Sequence, residues 1–219
     1  MTMPHILLNQ AIKPVQNIFC IGRNYAKHIA ELNNATPSEP LVFLKPTSSL
    51  AHCDLPIQLP TFSDDIHYET EIVLYIKENC DHISKEKALS IIGGYGIGLD
   101  LTARDIQSQI KAKGEPWTKC KGFRNAAIVS DFVAPSAITN FDNIHFSFKQ
   151  NGVLKQQGES QLMLYSIADI IVYLVETYGL TEGDLIYTGT PEGVGPLAPG
   201  DQLEMTLESV IQTTLTIAK

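Results

Sequence analysis

The sequence predicts an α+β fold that is mainly β, and three observations carry that reading. Short runs rich in β-branched and aromatic residues recur at 18–21, 41–44, 71–76, 94–101, 127–132, 144–150, 184–188, 202–207 and 210–217. Most are bounded by Gly, Pro, Asn or Asp, which marks them as strands. Asn151-Gly152, between 146–150 and a further run at 153–156, reads as a two-residue hairpin turn, where both positions tolerate positive φ. Helical patterns interrupt the strands without the regular strand–helix alternation of a doubly wound sheet.

Three helices are expected. The clearest covers 166–178, where Ile167, Ile170, Ile171, Leu174, Val175 and Tyr178 follow the i, i+3, i+4, i+7 spacing of one buried face. Ser166 is its N-cap and Gly179 its stop. A second starts after Asp100, with Thr102 as N-cap, Asp105 three residues on and Gly114 at its end. Its Arg104 and Gln107 are three apart and share a face. The third is short, from about Tyr25 to Asn33, and sets His28 and Glu31 on one face.

The chain has 219 residues, 44% of them hydrophobic, enough to bury a substantial core as one domain. Its net charge of -8 argues against a nucleic-acid partner, which requires a basic face. The four cysteines (Cys20, Cys53, Cys80, Cys120) form no CxxC pair, so neither a zinc knuckle nor a disulfide framework is indicated. No apolar run approaches the length of a membrane span, and the first ten residues carry no basic region followed by a long apolar core. Reduced thiols and a cytoplasmic location are the expectation.

Three carboxylates are the main chemical signal. Glu69 and Glu71 lie two apart in a strand run, so their side chains point the same way, and two like charges side by side call for a cation. Paired glutamates at period two are also common on the solvated face of an edge strand. Asp100 closes the run Gly93-Gly94-Tyr95-Gly96-Ile97-Gly98-Leu99. Gly94, Gly96, Gly98 and Asp100 share a strand face, and Asp100 is expected to face a surface stripped of side chains, open to an ion and a ligand. Oxygen ligands without cysteine favour Mg²⁺ or Mn²⁺ over zinc.

Other motifs carry two readings each. The glycines at 93–98 do not have dinucleotide-binding spacing and lie inside a strand, which excludes that function. Gly189-Thr190-Pro191-Glu192-Gly193-Val194-Gly195 is a wide turn, or a loop offering backbone N–H groups and the Thr190 hydroxyl to an anion. His28 and Glu31 are a solvated helical pair, or a dyad in which one takes a proton from water. Lys119 and Lys121 alternate onto one face, as surface lysines or with one aimed at a substrate carboxylate or an enolate.

Taken in order, Gly22-Arg23-Asn24-Tyr25-Ala26-Lys27-His28, Phe43-Leu44-Lys45-Pro46, His67-Tyr68-Glu69-Thr70-Glu71, Gly98-Leu99-Asp100-Leu101-Thr102-Ala103-Arg104-Asp105, Lys121-Gly122-Phe123 and 188–195 resemble the fumarylacetoacetate hydrolase superfamily. The likeness is to its short acylpyruvate hydrolase and oxaloacetate decarboxylase branch, from about Asn17 onward. The resemblance implies a catalytic domain over 17–219 after a short N-terminal extension at 1–16, coiled mixed β-sheets and a homodimer. It implies Mg²⁺ or Mn²⁺ on Glu69, Glu71 and Asp100, a lid helix carrying His28 and Glu31, and Arg104, Gln107, Lys121 and Thr190 around a small 2-oxo acid. Arg23 and Lys45 match positions near the pocket.

The expected activity is hydrolysis of the C–C bond of a 3-acylpyruvate to pyruvate and a carboxylate, with oxaloacetate decarboxylation served by the same site. His28 and Glu31 then activate water, while Lys121 and Arg104 stabilise developing charge. An isomerase or tautomerase of a 2-hydroxy-dienoate or an oxaloacetate enol is the alternative, and it needs no attacking water. A non-catalytic carboxylate-binding module is a third reading, against which His28, Glu31 and Lys121 together weigh.

Overall fold

The computed structural model describes residues 3–32 and 34–219. Its centre is a mixed seven-stranded sheet in the order Leu41–Lys45, Ile18–Gly22, Leu185–Tyr187, Thr70–Ile76, Ile92–Asp100, Ala127–Val129, Leu50–His52. Every residue of Thr70–Ile76 is buried. Such a strand must be covered on both faces, and two separate apolar cores do so.

On one face Ile72, Leu74, Tyr95, Ile97 and Leu99 join the larger core. Helix Ile167–Tyr178 contributes Ile170, Ile171 and Leu174, all fully buried, each worth about 1.5–3 kcal/mol of transfer free energy. The helix begins in a capping box: Ser166 Oγ accepts the Asp169 N–H and Asp169 Oδ2 accepts the Ser166 N–H, both at 3.2 Å. A four-stranded antiparallel sheet, Val153–Glu159, His145–Gln150, Gln202–Leu207, Ile211–Thr216, adds Phe146, Phe148 and Met205 to this core. Its turn is at Asn151-Gly152, with φ of 53° and 76°, as the hairpin reading requires.

The opposite face carries the smaller core, built from Ile6, Val73, Tyr75, Phe132 and Tyr187 among others. The hairpin His5–Leu8, Ala11–Pro14 helps to cover it, tied down by Phe132 N–H to Leu7 O at 2.7 Å and Asn9 N–H to Phe132 O at 3.1 Å.

This smaller core overturns one expectation. The glycine face of Ile92–Asp100 is not open to a ligand. A Cβ on Gly96 would stand 2.9 Å from the Phe132 ring, and one on Gly98 would stand 2.4 Å from the Ile128 carbonyl oxygen, with Tyr187 and Val73 at 3.0 Å. The glycines admit neighbouring rings and backbone, not a substrate.

Two local readings also change. Thr102 is not an N-cap: it lies in the short strand Thr102–Ala103, and helix Arg104–Lys113 is preceded by Ala103. Asp105 instead accepts hydrogen bonds from Ser63 Oγ at 2.6 Å and its neighbour's N–H. Gly114 ends the helix in the left-handed conformation, as expected. Lys119 and Lys121 do not share a face, because Thr118–Lys121 is a helical turn that buries Lys121 and leaves Lys119 exposed. The short third helix covers Ala26–Glu31; Asn33, its expected end, lies outside the described residues. Among the described residues no helix is long and apolar enough to cross a membrane.

Candidate metal centre and active-site cleft

Strand pairing assembles the acids. Thr70 pairs with Leu99 and Glu71 with Gly98, and Asp100 N–H continues the ladder to Glu69 O at 2.8 Å. Glu69 and Asp100 are therefore cross-strand neighbours, and Glu71 sits diagonally from Asp100 on the same face. One oxygen of each of the three carboxylates lies within 4.8 Å of the others, and all three residues are buried.

Three cations surround this cluster. Lys121 Nζ is 2.8 Å from Glu69 Oε2 and 2.7 Å from Asp100 Oδ2. Arg104 reaches Glu69 Oε1 at 2.5 Å and Gln107 Oε1 at 2.7 Å. Lys45 Nζ lies 2.7 Å from Asp100 Oδ1 and donates to the carbonyls of Leu101 and Lys121. Among the described residues Glu71 has no cation within ion-pair distance, and it accepts the Gly189 N–H at 2.6 Å.

The electrostatics follow from these partners. Burial alone raises the Glu69 carboxyl, but the Lys121 ammonium and the Arg104 guanidinium outweigh it and hold the group well below the usual carboxylate range. Glu71 goes the other way: burial, then the charges of Asp100 and Glu69, push it well above that range despite the Gly189 N–H. Burial depresses the Lys121 ammonium, yet Asp100 and Glu69 more than offset this and raise it above the ordinary lysine value.

A divalent cation fits this donor set. All three ligands are carboxylate oxygens, the choice of Mg²⁺ and Mn²⁺. Asp100 Oδ1 is buried, and the Lys45 ammonium 2.7 Å behind it forms an ion pair with it but not in hydrogen-bond geometry. Glu71 carries a carboxyl that two neighbouring acids disfavour as an anion, and a cation between the three would relieve that repulsion.

Arg23, His28, Glu69, Arg104, Gln107 and Lys121 line one cleft, together with Phe43, Lys111 and Trp117. Asp100 and Glu71 lie beneath, joined to that wall through Glu69 and Lys121. His28 is buried, and its Nδ1 is 3.3 Å from Glu31 Oε2. Glu31 is held in turn by the Gly193 N–H at 3.1 Å. The loop at 189–195 thus offers its N–H groups to Glu71 and Glu31, two of the protein's own carboxylates.

Lys45 departs from expectation. Its side chain is fully screened from solvent behind Asp100, so it supports the carboxylate from the rear and does not face the cleft. Thr190 is buried and accepts a hydrogen bond from Gln156 Nε2 at 2.8 Å. Gln156 was not foreseen. This buried amide also accepts the Thr70 N–H and donates to Pro191 O, clamping the loop to the strand that carries Glu71. It sits in a hairpin strand with no local mark of the role. Lys111 was missed as well, although the helical period that sets Gln107 beside Arg104 sets Lys111 one turn further along.

A family model described as fumarylacetoacetate (FAA) hydrolase C-terminal matches residues 17–218. The mitochondrial oxaloacetate tautomerase FAHD1 of Bos taurus is 40% identical over 196 residues, which is 90% of this chain and 89% of that protein. Oxaloacetate tautomerase YcgM of Escherichia coli (strain K12) is 38% identical over 202 residues, 92% of each chain. A crystal structure of fumarylpyruvate hydrolase from Pseudomonas aeruginosa, in complex with Mn²⁺ and pyruvate, superposes with a TM-score of 0.93 at 28% identity, covering 100% of this chain and 97% of that one. The chain is an enzyme fold of established type: it belongs to the fumarylacetoacetate hydrolase family.

Proposed function

We propose that this protein is a divalent-metal-dependent enzyme of 2-oxo acids that interconverts the enol and keto forms of oxaloacetate. The observation that carries the reading is one cleft lined by both His28, which Glu31 holds, and Glu69, the outermost of the buried Glu69, Glu71 and Asp100 cluster. Similarity to two oxaloacetate tautomerases over about nine-tenths of the chain supports the choice of substrate.

Glu69, Glu71 and Asp100 would hold Mg²⁺ or Mn²⁺, which when bound supplies Lewis-acid polarisation of the substrate's 2-oxo oxygen. In the keto direction an enol O–H bond breaks and a C3–H bond forms, with no net gain or loss of protons. His28 carries that proton on its ring, and Glu31, fixed by Gly193, orients the imidazole. The Lys121 ammonium stabilises charge on the enolate oxygen. Arg104, braced by Gln107 and Glu69, receives the substrate's 1-carboxylate.

Hydrolysis of 3-acylpyruvates is the second reading, favoured by the similarity to a fumarylpyruvate hydrolase. There the His28–Glu31 dyad deprotonates water for attack on the distal carbonyl, and the C–C bond breaks to leave pyruvate and a carboxylate. Decarboxylation of oxaloacetate would need no water. Purified protein with Mg²⁺ is to be mixed with oxaloacetate enol, acetylpyruvate and fumarylpyruvate, following enol absorbance, carbon dioxide and pyruvate. Accelerated enol loss without carbon dioxide is the expected result. Pyruvate from the acylpyruvates with no effect on the enol would favour the second reading, and no acceleration of any reaction overturns both.

A further inference from the structure

The cleft has an inner and an outer cationic station, separated by an aromatic pair. Lys121 Nζ stands 5.0 Å from the Phe43 ring centroid, and Lys111 Nζ stands 5.6 Å from that of Trp117. The two rings touch, with centroids 5.6 Å apart. The inner charges are already matched, since Lys121 and Arg104 both meet Glu69 and Lys121 also meets Asp100. The outer ones are not. Among the described residues neither Lys111 nor Arg23 has a carboxylate within ion-pair distance. Among the described residues Lys111 finds the Asn34 amide oxygen at 3.4 Å as its one hydrogen-bond partner, and Arg23 the Ala35 carbonyl at 3.3 Å.

Two unmatched cations on one wall are notable in a chain of net charge -8. Arg23 also holds a φ of 59°, the left-handed region, which costs a non-glycine residue about 1 kcal/mol or more and clusters at ligand sites. Its buried Nε has no hydrogen-bond partner among the described residues. Although the Lys111 side chain is exposed overall, desolvation of its ammonium against the cleft wall, then the like charges of Arg23 and Arg104, lower its pKa, and a bound anion would relieve the charge repulsion.

We infer that Lys111 and Arg23 form a binding site for the far carboxylate of the substrate, so that the enzyme selects dicarboxylic 2-oxo acids over monocarboxylic ones. This rests on the 2-oxo acid reading above and adds to it the residues that select substrate charge. Lys111 reaches the far end as a flexible point charge, and Arg23 as a fixed planar fork.

The test is calorimetric titration of the Mg²⁺-loaded protein with two stable probes, N-oxalylglycine and N-methyloxamate. Both present an α-oxo carboxylate, and only the first has a far carboxylate. The expected result is tighter binding of N-oxalylglycine by about tenfold in the parent protein. Lys111→Met and Arg23→Gln should each reduce that preference by roughly three- to tenfold, Lys111→Arg should retain it, and the N-methyloxamate affinity of Lys111→Met should stay near the parent value. Lys111 is exposed, so its replacement leaves the fold intact. Equal affinities for the two probes in the parent protein would overturn the outer site while leaving the 2-oxo acid reading in place. A preference unchanged in both Lys111→Met and Arg23→Gln would overturn it too. If neither probe binds, the 2-oxo acid reading itself falls.

Discussion

Lys45 and Asp100 form an ion pair, Nζ to Oδ1 at 2.7 Å, in which the lysine side chain is entirely out of contact with solvent. The same ammonium donates to the backbone carbonyl of Lys121, whose side chain returns to the other Asp100 oxygen. One buried charge thus ties a proposed metal ligand to the residue proposed to stabilise the enolate.

Removing that charge leaves Asp100 and two carbonyls short of a buried partner. Lys45→Met should lower the unfolding free energy by about 3–5 kcal/mol, the usual effect of breaking a buried pair. Lys27→Met, which removes an exposed pair with Glu192, should cost no more than about 1 kcal/mol. Urea denaturation of the metal-free proteins measures both, and equal effects would contradict the supporting role given to Lys45.

Metal binding is expected to stabilise the fold. At a Mg²⁺ concentration one hundred times its dissociation constant, the gain is about 2.7 kcal/mol. Chelator should remove that gain together with turnover, and Mn²⁺ or Mg²⁺ should restore both. Glu71→Gln should separate the terms. Burial and the neighbouring acids raise the Glu71 pKa in the folded protein, so its ionised form opposes folding once pH exceeds the unfolded value. At neutral pH the variant should be at least as stable as the parent without metal, yet gain little when Mg²⁺ is added. Thermal melts with and without Mg²⁺ read out the crossing.

His28→Ala should slow enol–keto interconversion by roughly a hundred- to ten-thousand-fold, as loss of a general acid–base does. Mg²⁺ affinity should change little, since His28 is not among the three carboxylate ligands. Decarboxylation of oxaloacetate, which leans on the metal as electron sink, should suffer less. Equal losses in the two reactions would point to a positioning role for His28.

Gly96 and Gly98 share a strand face but should respond differently to alanine. At Gly96 the new methyl meets the Phe132 ring, which can shift, at a cost of about 1–3 kcal/mol. At Gly98 it meets the Ile128 carbonyl of the paired strand at 2.4 Å, which cannot move without parting the sheet. Gly98→Ala should therefore destabilise more, and should also weaken Mg²⁺ binding through Asp100 two residues on. Chemical denaturation and metal titration of both variants would show it.

Regular periods made much of this protein legible. Period two put Glu69 and Glu71 on one strand face, and the 3.6-residue period placed Ile170, Ile171 and Leu174 on the core face of a helix capped by Ser166. The same period paired Arg104 with Gln107 and His28 with Glu31. These relations are local, and a chain of these residues reaches them with few alternatives. Tertiary structure decided the rest. Whether Lys45 faced substrate or the back of Asp100, and whether the glycine face stayed open or was filled by Phe132 and Tyr187, depended on segments tens of residues apart meeting across a sheet. Lys121 points away from Lys119 because they lie two apart in a helical turn, about 200° of rotation, where strand alternation was expected. Ion pairing and close packing are set by distance in space, and sequence spacing determines that distance only within a single element.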